Sequence, residues 1–157
     1  MSATPQQARK LILAHIGAVW ADKAPAIVAP LATPEMRYQG LEKGALPGST
    51  KFWARSSTQL ATTRQSAHIM TNEPGGSPVE FSTAGVVMIQ IFAPMTEKGS
   101  YAKGELLAEA AQCMFMATEL AQGIWFRNPR INELVPDGTW YRWNVIADFQ
   151  FNQVKGA

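Results

Sequence analysis

From Tyr141 to Phe151 the side chains alternate without a break, with Tyr, Trp, Val, Ala, Phe and Phe at odd positions and Arg, Asn, Ile, Asp and Gln at even ones. Such a period of two predicts a strand at about 139–151, odd side chains in a core and even ones turned outward. The segment before it, "IWFRNPRINELV", predicts a strand at about 124–135 with a flaw. Ile124 and Phe126 are apolar at even positions, Ile131 and Val135 at odd ones, and Pro129 sits at the switch. One extra residue there, a β-bulge, restores a single inward face, and proline is confined to edges and bulges. "PDG" joins the two arms as a C-terminal β-hairpin, Pro136 pre-set for the turn and Gly138 free to take positive φ.

Upstream, "VEFSTAGVVMIQIFAP" predicts a strand at about 79–93. Val86 to Phe92 shows little alternation, which places this strand centrally with both faces covered. "KFWARSSTQLATT" predicts a strand at about 51–62, with Phe52, Ala54, Ser56, Thr58 and Leu60 on one side and Trp53, Arg55, Ser57 and Gln59 on the other. Arg64 to Pro78 has the turn chemistry of an exposed loop.

A helical period replaces the alternation at Leu11, Ile12, His15, Ile16 and Val19, predicting a helix over 5–20. Thr4 reads as its N-cap, Pro5 as its first residue and Gln7 as the capping-box partner. A second helix is predicted over 101–122, with Ser100 as N-cap and Gly123 as its stop. Its buried stripe is Leu106, Leu107, Ala110, Cys113, Met114, Ala117 and Leu120. Glu105, Glu109, Gln112 and Glu119 form its wet side, where Met116 also lies. The connection at 21–50 holds four prolines and three glycines, so it is expected to wrap the surface in extended form, with a short strand near Arg37–Tyr38. The order α–β–β–α–β–β predicts a single α+β domain over 1–157, a twisted and mostly antiparallel sheet with two helices on one face.

Composition agrees with a globular domain. Apolar residues make up 46% and charged ones 17%, and a chain of this length buries roughly 70% of its extended surface. The net charge of +2 comes from 14 basic and 12 acidic residues scattered along the chain, which argues against a nucleic-acid grip as the main role. Cys113 is the single cysteine, so a disulfide framework is excluded, and with no N-glycosylation sequon a reducing, cytosolic place of synthesis is expected. "RKLILAHIGAVWA" has the charge-then-apolar order of a signal peptide, but its one-faced periodicity and capping residues favour a soluble helix. No run was expected to approach the ~20 apolar residues of a membrane span.

Templates for chemistry fail. "GALPGSTK" has its lysine last and opens a strand, whereas a phosphate loop needs the lysine before the hydroxyl residue and a helix after it. His15 lies on the apolar face of the first helix, the usual place of a satisfied core histidine, and His68 lies in the predicted loop. There is no G-x-S-x-G elbow and no spaced carboxylate pair at strand ends, and Asp137 has an adequate role in its turn. Arg55, Arg127, Arg130 and Arg142 all fall within predicted strands. They read equally as solvated stems over apolar surface or as guanidinium forks for a neighbour's carboxylates.

The segments "FWARSSTQLATTRQSA", "FSTAGVVMIQIFAPM", "GSYAKGELLAEAAQCMF" and "GIWFRNPRINELVPDGTWYRWNVIADFQF" together resemble the tail terminator-like proteins of long-tailed bacteriophages, the lambda-type tail terminators. The resemblance covers roughly Phe52 to Phe151, with the first helix in the expected place and the stretch from Ala24 to Pro47 least matched. It implies an α+β virion subunit that forms a homo-hexameric ring on the head-proximal end of the tail tube. Such a ring stops tube polymerisation and meets a neck or head-completion protein. It implies no enzyme activity and no cofactor, a virion location after assembly in the host cytoplasm, and DNA that passes through the ring without specific binding. A head–tail completion protein of another ring is the nearest rival reading, and a cytosolic small-ligand-binding α+β domain the rival from another class.

Candidate interface residues follow from both lines. Arg64, Gln65, His68, Ile69 and Met70 belong to the predicted loop, a segment suited to ordering on a partner. Arg55, Arg127, Arg130, Trp140, Arg142, Asn144 and Asp148 belong to the outward rows of the strands. Trp143→Ala is expected to cost ~3–5 kcal/mol, as for a large buried aromatic, while Arg142→Ala spares the fold and impairs assembly. Thermal melts of the two variants check the assignment of faces, which an unchanged melting of Trp143→Ala would refute.

Overall fold

The computed structural model describes residues 3–41, 44–68, 79–116 and 118–155, with only the backbone at 62, 66–68 and 155. Helix α1 spans Pro5–Val28, and the expected capping box closes its start. Thr4 Oγ1 accepts from Gln7 N at 3.2 Å, and Gln7 Oε1 accepts from Thr4 N at 2.9 Å. The helix runs past the predicted end at Trp20 because its stripe of fourth residues continues: Ala8, Ile12, Ile16, Trp20, Ala24 and Val28 are all buried. Pro25 removes one helical donor, and the burial of Ala24 and Val28 on either side outweighs that loss. Trp20 Nε1 then donates to Pro34 O at 2.9 Å, tying the following segment back onto the helix.

The predicted connection at 21–50 therefore loses its first two turns, up to Val28, to α1 and four residues to strand β1, Glu35–Tyr38. At 24 residues and a window hydropathy of 1.4, α1 is by length and composition apolar enough to cross a membrane, contrary to the sequence reading. In this fold its buried stripe packs into the protein core.

Strands β2 (Trp53–His68), β3 (Val79–Pro94), β4 (Glu119–Leu120), β5 (Ile124–Leu134) and β6 (Trp140–Lys155) complete a mixed six-stranded sheet among the described residues, in the order β1-β2-β3-β6-β5-β4. β1 runs parallel to β2, and every other pair is antiparallel. The domain is α+β, as expected, with two short edge strands: β1, expected near Arg37–Tyr38, and β4, which the sequence reading lacked.

Strand β2 corrects the predicted loop. It continues to His68, with Arg64 opposite Ser82, Gln65 opposite Phe81 and His68 opposite Val79, so these three are ladder residues. The stretch is polar on both sides and carries register shifts between Leu60 and Thr62 and between Gln65 and Ala67, and each shift breaks the period that would have announced a strand. Ile69 and Met70 lie outside the described residues. The expected flaw in β5 is a bulge: Arg127 pairs with Asp148 and Arg130 with Ile146, leaving Asn128 (φ 53°) and Pro129 between them. Phe126 and Ile131 thereby share one face, opposite Phe149 and Val145.

Helix α2 spans Ser100–Cys113, shorter than predicted at its far end. Its N-cap is Gly99 at φ 73°, with no side-chain cap, and Ser100 is buried inside the helix rather than capping it. The buried stripe is Ser100, Gly104, Leu107, Ala108 and Ala111, whereas Leu106 is 49% exposed and Cys113 is also exposed. Met114 and Phe115 are consecutive and both buried. The helix ends there and the chain tightens, with Phe115 N donating to Gln112 O and Met116 N to Cys113 O. Phe115 then packs on Phe126, ring centroids 4.9 Å apart, and Leu120 continues into β4 rather than the predicted helix.

Both helices contribute to one core, in which Ile12, Ile16, Leu107 and Ala111 meet Ile89, Ile91, Val145 and Ala147. The predicted odd row of β6 holds, with Trp143, Val145, Ala147, Phe149 and Phe151 buried. Trp143 lies so close to α2 that a Cβ added at Gly104 would stand 2.3 Å from its Cζ3. Gly104→Ala is expected to cost about 1–3 kcal/mol through overpacking. Urea titration against the wild type measures it, and equal midpoints would mean that Trp143 can yield.

Candidate interface face

The alternate positions of β2, β3, β6 and β5 make the sheet's second face, and the register lays them out in rows. Trp53, Phe92, Arg142 and Leu134 form one row; Arg55, Gln90, Asn144 and Asn132 the next; then Ser57, Met88, Ile146 and Arg130; then Gln59, Val86, Asp148 and Arg127. Arg37 of β1 is opposite Arg55 and joins the same face. The structure thus gathers Arg55, Arg127, Arg130, Trp140, Arg142, Asn144 and Asp148 on one surface, with Arg64 further along opposite Ser82. Gln65 has the parity of the core face, opposite Phe81, and His68 pairs with Val79 in the ladder.

Each arginine is held. Arg55 Nε donates to Gln90 Oε1 at 2.7 Å, and its guanidinium lies 5.4 Å from the Phe92 ring centre. Arg127 stacks on Trp125 at 4.4 Å and donates to Gln150 Oε1 at 2.9 Å. Arg130 donates to Asn128 O and lies 3.5 Å from Asp148, an exposed pair worth at most about 1 kcal/mol. Arg142 uses Nε and Nη2 on Val135 O, at 3.2 and 2.8 Å, so it ties the hairpin together. Anchored stems of this kind present their remaining donors in fixed directions.

An aromatic cluster closes one end of the face. Trp53 and Phe92 stack at 3.9 Å and 4°, and Trp140 meets both edge-on at 5.8 and 6.0 Å. Trp140 is on the outward row, as expected, but only 8% exposed because it folds over its two neighbours. Trp53, Phe92, Gln90 and Arg37 escape the candidate list although they build this end. Trp53 already alternated with Arg55, Ser57 and Gln59, which was the available signal. Phe92 and Gln90 sit in the least alternating strand, which carries none.

Six buried polar side-chain atoms have no hydrogen-bond partner among the described residues, and four belong to this face: Arg37 Nε, Trp53 Nε1, Trp140 Nε1 and Asn144 Oδ1. Arg37 Nε is 3.6 Å from Glu35 Oε1, an ion pair rather than a hydrogen bond. Each such atom costs about 1–3 kcal/mol if left unmet. Beside the cluster is an open cleft of about 380 Å³ lined by Arg37, Tyr38, Trp53, Arg55, Met88 and Gln90, among others.

The remaining candidate chemistry has structural duties. His15 Nε2 donates to Met114 O at 2.8 Å, and its ring stacks near Phe126. Tyr101 donates to Glu133 Oε1 at 2.6 Å, and that hydrogen bond with the carboxylate's charge holds the phenol up to about 12. Among the described residues no group of three or more His, Cys, Asp or Glu could hold a metal ion.

No family model matches the chain, and no curated protein matches it. Solved structures do resemble it. One, which carries no functional name, is 13% identical, with 92% of this chain and 96% of that one covered at a TM-score of 0.50. At that identity the likeness concerns the fold.

The hairpin turn sets where this face begins. Asp137 Oδ1 accepts from Trp140 N at 2.9 Å and Thr139 N at 3.0 Å, and these bonds hold its carboxyl below the usual carboxylate value. A depressed pKa stabilises the fold above the unfolded value, about 3.9, and the contribution is lost as pH falls through the folded one. Asp137→Ala is therefore expected to cost about 1 kcal/mol at neutral pH, a deficit that closes in strong acid. Urea titrations at both pH values check this, and a deficit unchanged in acid would assign the loss to something other than the carboxylate.

Proposed function

We propose that the chain is a structural subunit of the tail terminator type, assembling into a ring on the head-proximal end of a phage tail tube. There it stops tube growth and joins the tail to the neck. The observation that carries this reading is the second face of the sheet. It presents anchored arginines and buried polar atoms that have no partner among the described residues, which is how a surface looks when neighbouring subunits complete it. In this reading both helices cover the other face, and the outward rows stay open to neighbours. The resemblance of Phe52 to Phe151 to the tail terminator-like proteins supplies the identity of those neighbours: further copies of the chain, the tail tube protein and a neck or head-completion protein. No cofactor takes part, and DNA passes without specific contacts. The protein is made in the host cytoplasm and ends in the virion. A completion protein of a neighbouring ring has the same physical requirements and is separated from the first reading by which end of which assembly it binds.

The cleft of about 380 Å³ favours one reading of another class, a small-ligand-binding domain, since ligand pockets start at roughly this size. Purified protein mixed with tail tubes and viewed by negative-stain microscopy decides among these. The expected result is rings on one end of each tube and no further lengthening when tube protein is added. Bare tube ends and continued growth would reject the terminator assignment.

A further inference from the structure

Two like-charged pairs stand on opposite sides of the molecule, and each is awkward by itself. Arg37 and Arg55 are direct register partners on the parallel strands β1 and β2, where like charges destabilise. Glu105 and Glu109 are one turn apart on the exposed side of α2, an arrangement that also destabilises. Neighbouring strands are about 4.8 Å apart, and a helical turn rises about 5.4 Å. The two cations and the two anions therefore have nearly the same spacing.

Their surroundings match as well. On the same turn is Leu106, 49% exposed and so left out of the core its helix helps to build. Beside the guanidiniums is the cleft, whose lining includes Trp53, Leu46 and Met88 and no acidic residue. Arg37 is fixed by donation to Ala45 O at 2.7 Å and by its ion pair with Glu35 at 3.6 Å, and Arg55 by Gln90, so Arg55 carries the uncompensated charge of the pair. Arg55 is exposed, and its terminal nitrogens have no hydrogen-bond or ion-pair partner among the described residues. Trp53 is 2% exposed with Nε1 unpartnered. The single basic residue of α2, Lys103, points its Nζ to Ala29 O at 3.3 Å and leaves the glutamates unneutralised.

We propose that the Arg37–Arg55 cleft of one copy receives the Glu105–Leu106–Glu109 turn of the next. The contact is heterologous: one patch meets a different patch, so it propagates head to tail and gives a ring when the rotation closes. It rests on the self-assembly part of the function proposed above, and it names the surfaces that part leaves open.

Charge reversal tests it, because a head-to-tail contact can be repaired by mixing. In Arg55→Glu the cleft repels the native turn, and in Glu109→Arg the turn repels the native cleft. Mixed one to one, each variant finds the complementary surface on the other at both contacts. By sedimentation, each variant alone is expected to associate about tenfold or more weakly than the wild type, and the mixture to regain wild-type association. Both sites are exposed, and thermal melts verify folding; Glu105→Arg replaces Glu109→Arg, and Arg55→Asp replaces Arg55→Glu, should either melt early. Wild-type association unaffected by the reversals, a mixture that stays dissociated, or a wild type that is monomeric at its solubility limit would each overturn the proposal. Tube capping by the wild type is scored separately: capping without the mixing effect sinks this contact alone, and its absence sinks the terminator reading.

Discussion

From Val79 opposite Lys155 to Pro94 opposite Trp140, strands β3 and β6 pair over their whole lengths without a register shift. A strand pair has two faces, and an unshifted ladder keeps every residue on its assigned one. Ile89, Ile91, Trp143, Val145 and Ala147 are thereby committed to the core, while Gln90, Phe92, Arg142 and Asn144 are committed to the opposite side. The strands outside this pair can afford irregularity. β2 slips twice and β5 once, and none of the three slips reaches the central pair.

That asymmetry explains what could be read from the residues. β6 was legible because its alternation is uninterrupted, and so was the β5 bulge, because Pro129 marks the place where parity changes. The far half of β2 was not legible: Thr63, Arg64 and Gln65 are polar whichever way they point, and two bulges erase the period. The end of α2 was hidden because the apolar run through Met114 and Phe115 satisfies a helical stripe on paper. In space, Phe115 is claimed by Phe126 and His15, which come from distant parts of the chain. Tertiary contacts of that kind leave no local trace.

The candidate face was legible in the same proportion. Its arginines could be found because charges inside alternating strands stand out. Its aromatic end could not, since Phe92 looks like any core residue until Trp53 is seen stacked on it. A row of arginines without that cluster would be a solvated surface. With it, the Arg37 and Arg55 guanidiniums lie over the Trp53 and Phe92 rings, which limits their motion.

Strand β1 covers β2 only from Trp53 to Ser56, which leaves Ser57 to His68 as an open edge among the described residues. An edge of that length is a template for uncontrolled strand addition and aggregation. Three features blunt it. Gln39 extends the guard by one rung, its side-chain Oε1 accepting from Thr58 N at 2.9 Å. The two bulges then interrupt the row of free donors and acceptors that an incoming strand would need. The same irregularities that disguise the strand in the sequence thus guard its open edge against fibrous self-addition.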